Sequence, residues 1–126
     1  MAEELLARGI AVLIPDKRGS ENSGGDWHDT SFEELATDTQ AAFDILAQAP
    51  DVDNTRVGVI GFSQGGWIVP IVATEEPSAA FIVSMSGAGV TTEEQLVFEE
   101  INNIADMGTY RFIARLIARF TVPGIM

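Results

Sequence analysis

Short apolar runs alternate with helical patterns along most of this chain, and that alternation predicts a parallel sheet assembled from strand–helix units. Residues 2–8 read as the last turns of a helix that ends at Gly9. Ile10–Ile14 is continuously apolar and stopped by Pro15, the pattern of a strand covered on both faces. Residues 16–29 hold Gly19, Asn22, Gly24 and Gly25, a loop composition at the edge where parallel sheets host ligands. Ser31 and Glu34 have the spacing of a capping box, and Phe32, Leu35, Ala36, Thr39, Phe43, Leu46 and Ala47 then mark one apolar helix face, stopping near Pro50. Arg56–Ile60 reads as a second buried strand and Ala80–Met85 as a third. Between them Trp67–Thr74 reads as an apolar helix, with Pro70 placed in its first turns, where a missing N–H costs least. Residues 92–119 read as two helices with a break near Asp106–Gly108.

Composition narrows the function classes. Nineteen acids against seven bases give a formal charge of −12, a field that repels phosphate backbones and anionic headgroups, so nucleic acid is not an expected partner. The chain has no cysteine, which removes disulfides, thiol catalysis and cysteine-rich zinc sites. The N-terminus shows no signal peptide and no apolar run approaches the roughly 20 residues that cross a bilayer, so a cytoplasmic location without membrane contact is expected.

The chemistry lies in Gly61-Phe62-Ser63-Gln64-Gly65, which fits G-x-S-x-G directly after a strand pattern and before a helix pattern. In that setting a serine occupies a strained turn that exposes its hydroxyl, and the small residues two before and two after it let strand and helix approach closely. The helix that follows points its positive end at the site, which favours the oxyanion of acyl transfer. Gln64 would supply one backbone N–H. The bland reading is a strand-to-helix turn whose serine is satisfied by backbone.

Asp16-Lys17-Arg18-Gly19-Ser20 after a strand, then Ser23-Gly24-Gly25, then Gly-Phe-Ser-Gln-Gly-Gly some forty residues on, together resemble the α/β-hydrolase superfamily, closest to its bacterial esterase and serine-aminopeptidase-like branches. The resemblance implies a partial α/β-hydrolase fold, three layers around a short parallel sheet of about three strands, with lid-like helices at the C-terminus. Residues 1–90 would form the core and residues 91–126 the start of a lid. Ile10–Ile14 would be the family's fourth strand, Arg56–Ile60 its fifth and Ala80–Met85 its sixth. The family's third strand, which lies between the fourth and fifth and brings the second oxyanion donor, would precede residue 1. The triad acid and histidine would follow Met126.

The implied activity is serine hydrolysis of a carboxylic ester or amide through an acyl-enzyme on Ser63, with no cofactor or metal, and with little turnover by these 126 residues alone. His28, the single histidine, precedes Ser63, against the Ser, Asp/Glu, His chain order of that fold. Asp16 is expected to organise its loop. Gly19, Gly24 and Gly25 lack the Gly-Lys-Ser/Thr ending of a P-loop, and the Asp26, Asp29 and Asp51, Asp53 pairs lack a full calcium pattern. Arg111, Arg115 and Arg119 recur every four residues opposite Phe112, Ile113, Leu116, Ile117 and Phe120, as in a lid helix with an apolar underside. Two alternatives stay open: a non-catalytic doubly wound interaction module, and an acyltransferase or thioesterase of the same fold.

Overall fold

The computed structural model describes residues 1–87 and 89–106 together with Ile113, and the chain divides into two units, Met1–Gly87 and Ala88–Met126. The first unit opens with helix α1 (Ala2–Leu6), which Gly9 terminates at φ 75°. Helix α2 (Phe32–Ala47) starts at the expected capping box, in which the Ser31 hydroxyl accepts from Glu34 N–H and the Glu34 carboxylate accepts from Ser31 N–H. Strand β1 (Val59–Phe62), helix α3 (Gly65–Glu75) and strand β2 (Ile82–Met85) then form one strand–helix–strand unit in which the strands run parallel, pairing Val59 with Ile82 and Phe62 with Met85. In the second unit, helix α4 (Thr92–Asp106) begins at a similar reciprocal cap between Thr91 and Glu94. The residues of the arginine-bearing helix expected after it lie outside the described residues, Ile113 excepted.

The core is built on α3. Ile68 and Val72 meet Leu35 and Ala36 of α2, and Trp27, Phe32, Val59 and Ile71 pack around them. Val69 is 1% exposed beneath the sheet, where α3 lies against both strands. Alternation along the strands explains what remains open. Val59 and Gly61 face α3, so Ile60 and Phe62, with Val83 and Met85 beside them in register, form the opposite, exposed apolar face.

The sheet therefore has two strands where about three were expected, and the expectation of strands buried on both faces is corrected. Ile10–Ile14 is not a strand among the described residues, and Ile14 is 73% exposed. A strand exists through its ladder, and no described segment pairs with this one, so its apolar composition alone does not make it one. The second strand also starts later than expected. Asp53 accepts hydrogen bonds from the Thr55 N–H and hydroxyl, curling Asn54–Arg56 into a single 3₁₀ turn, and β1 instead runs on through Gly61 and Phe62.

Helix α3 begins two residues earlier than its apolar run, which moves Pro70 past the N-terminal positions that lack partners. Its missing N–H leaves the carbonyl of Gly66, four residues back, without an intrahelical donor. The Ser84 hydroxyl of β2 fills that vacancy, donating to Gly66 O at 3.1 Å. Among the described residues no helix is long and apolar enough to cross a membrane.

Two outcomes follow. Ser84→Ala removes the only donor aimed at that carbonyl from β2, and a stability loss of about 1 kcal/mol is expected in urea unfolding. The Thr55 hydroxyl and N–H hold the Asp53 carboxyl below its ordinary value of 3.8. A group whose folded pKa is depressed contributes stability above its unfolded pKa and loses it as pH falls through the folded one. Acidification from pH 6 to about 3 should therefore cost the wild-type chain more stability than it costs Asp53→Asn.

Candidate active site

Ser63 lies between the last residue of β1 and the N-cap of α3, with φ 54°. That left-handed backbone costs an L-residue roughly 1–2 kcal/mol, and it reverses the chain within a single residue. The turn is tied on both sides: Ser63 N–H donates to Met85 O at 2.9 Å, and Ser63 O accepts from Gly66 N–H at 2.8 Å. The side chain is exposed. Among the described residues, neither the Ser63 hydroxyl nor the Gln64 N–H has a hydrogen-bond partner. A free hydroxyl and a free N–H thus sit side by side at the positive end of an 11-residue helix, an arrangement able to attack a carbonyl carbon and receive the oxygen's charge.

The glycines around Ser63 divide the work differently from the simple motif. A Cβ on Gly61 would overlap the Gly65 carbonyl and stand 2.7 Å from a Val69 methyl, so the close approach of strand to helix does rest on Gly61. Gly65 contributes its backbone to that contact, but a Cβ on it would meet nothing within 4 Å. Of the Gly65-Gly66 pair it is Gly66 that is tight: its Cβ would overlap Gly87 Cα and stand 2.9 Å from Ser84 Oγ. The second Gly of the Gly65-Gly66 pair was the available signal for this role.

The loop over residues 16–29 reaches the turn through consecutive side chains. Arg18 grips Asp38 of α2 bidentately, at 2.5 and 2.9 Å, and this hydrogen-bonded pairing raises the Arg18 pKa. Lys17 Nζ donates to Gln64 Oε1 at 2.5 Å and lies 3.4 Å from the centre of the Trp27 ring, with desolvation lowering its pKa. Sequence reasoning did not assign Lys17 to the site. Asp16 organises the loop only weakly, accepting from Asn22 N–H at 3.4 Å.

His28 is exposed and stacked on Trp27 at 3.7 Å, and among the described residues it makes no hydrogen bond with Ser63. The Asp26 carboxylate accepts from His28 N–H and that of Asp53 from Thr55, so both hold turns. The buried Trp67 indole N–H has no partner among the described residues, and nothing in the structure explains it. A cleft of about 510 Å³ between the end of α2 and Asn54, Thr55 and Ser78 opens at the amino ends of the strands, the edge opposite Ser63, and carries none of these groups.

The family model described as the prolyl oligopeptidase family matches residues 2–109. The chain is 31% identical to Uncharacterized peptidase YtmA of Bacillus subtilis over 105 residues, which are 82% of this chain and 39% of that protein. It is 34% identical over 83 residues to Uncharacterized protein MT2364 of Mycobacterium tuberculosis, covering 66% of this chain and 28% of that protein. The chain thus spans well under half the length of these relatives. No solved structure matches it significantly. The contacts around Ser63 are testable without any substrate. Gly66→Ala should destabilise the chain by about 1–3 kcal/mol through overpacking, whereas Gly65→Ala should be neutral or stabilising by up to about 1 kcal/mol, both read from urea midpoints.

Proposed function

The chain belongs to the prolyl oligopeptidase family of α/β-hydrolase-fold serine peptidases, and from that premise we propose that Ser63 is the nucleophile of a serine hydrolase acting on a peptide amide or a carboxylic ester. The observation that carries this is the left-handed Ser63 between β1 and α3, its hydroxyl exposed and without an internal partner. A serine satisfied by backbone, the bland alternative, would have its hydroxyl engaged.

In the proposed reaction Ser63 Oγ attacks the scissile carbonyl carbon while a histidine takes its proton, and the carbonyl oxygen gathers negative charge in the tetrahedral intermediate. The Gln64 N–H and the α3 N-terminus stabilise that charge, and Lys17 holds the Gln64 side chain through its hydrogen bond to Oε1. Collapse of the intermediate returns the proton to the leaving amine or alcohol and leaves an acyl group on Ser63, which water then removes by the same steps. His28 makes no hydrogen bond with Ser63 among the described residues and precedes it in the chain, so the histidine, its acid partner and the second oxyanion donor are proposed to come from outside residues 1–126. Residues 91–126, with α4 at their start, are proposed to begin a lid.

In the full-length protein, Ser63→Ala should lower kcat on a nitrophenyl ester or an aminoacyl nitroanilide by about 10⁴-fold or more while leaving KM within a few fold. The 126-residue chain alone should hydrolyse the ester no faster than its own Ser63→Ala variant. Full activity in the Ser63→Ala protein would overturn the assignment of the nucleophile.

A further inference from the structure

Ser63 is not the only serine held in a left-handed backbone at this edge. Ser86 has the same φ of 54° and follows β2 as Ser63 follows β1. Because Phe62 pairs with Met85, Ser63 and Ser86 are each the first residue past a paired strand end, at the same edge of the sheet. The Ser63 N–H bond to Met85 O fixes that neighbourhood. Ser86 is exposed, and among the described residues its hydroxyl has no hydrogen-bond partner.

Glycine adopts this backbone without steric cost, and glycine is the next residue along. A serine in its place carries strain that no contact within the described residues repays. Strain of this kind collects where a side chain has work to do at a site. The neighbouring serine in β2, Ser84, provides the contrast: its hydroxyl is spent on Gly66 O and its role is structural.

We propose that Ser86 is a substrate-contacting residue, its hydroxyl held at the carboxyl edge of the sheet to form a hydrogen bond with a polar atom flanking the scissile carbonyl. This rests on the reading of Ser63 as nucleophile. The contact involves no covalent step at Ser86: its proton stays on the hydroxyl, which acts as donor or acceptor to a group such as a peptide N–H or C=O. A substrate offering such a group next to the scissile bond is the chemistry this position fits.

The test uses two variants of the full-length protein, assayed with an aminoacyl nitroanilide and a nitrophenyl ester. Ser86→Gly removes the hydroxyl and relieves the strain, and Ser86→Ala removes the hydroxyl and keeps the strain. The expected result is a higher urea midpoint for Ser86→Gly than for wild type, with kcat/KM lowered about tenfold in both variants on whichever substrate the wild type cleaves faster. Ser86→Asn, which tolerates the left-handed backbone and keeps a polar group, should recover part of the loss. A merely structural serine would give unchanged kcat/KM in the stabilised Ser86→Gly protein, and that outcome overturns the proposal. Failure of the Ser63 reading is seen separately, as activity that survives Ser63→Ala.

Discussion

The close approach of α3 to the two strands is the constraint on which the other features depend. Gly61 lets β1 pass against the Gly65 carbonyl, and Gly66 lets α3 pass against Gly87 and Ser84 at the end of β2. With the helix that near, the chain reverses direction between Phe62 and Gln64 in one residue, and Ser63 takes the left-handed backbone there. The same approach brings the Ser84 hydroxyl within reach of the carbonyl that Pro70 leaves free. It also buries Val69 and Val72, whose small, stiff side chains suit a helix pressed against a sheet. Exposure of the Ser63 hydroxyl is thus a consequence of backbone packing.

Features encoded locally were legible in the sequence. The capping box at Ser31 and Glu34 is a spacing rule, and it begins α2 as expected. The strand, turn and helix around Ser63 depend on neighbours in the chain, so the motif located them even though its flanking elements shifted by two residues or so. Ile10–Ile14 does not form the expected strand because apolar composition favours only burial, whereas a strand also needs a partner ladder, and pairing is a property of other segments. Lys17 and Ser84 were missed for a related reason: each acts on a residue far along the chain, Gln64 and Gly66, and no periodicity records such a contact. The Gly65-Gly66 pair was visible, but which of the two must lack a side chain depends on where β2 ends.

Electrostatics at the site are set by near neighbours more than by the chain's charge of −12. A field of that sign opposes an oxyanion, yet exposed charges beyond a Debye length of about 8 Å at physiological ionic strength are largely screened. Within that distance of the Gln64 side chain lies the ammonium of Lys17, bonded to it and capped by Trp27. The N-terminal dipole of α3 acts at the same place and in the same direction. Arg18, the next residue, is neutralised by Asp38, which fixes the loop that carries Lys17 and leaves one cation of the pair for the turn. Two adjacent bases in one loop therefore divide their roles, one anchoring the loop to α2 and the other bringing positive charge to the start of α3. An acidic surface is compatible with the anion stabilisation proposed for this turn, because the donors beside Ser63 are short-range and already in place.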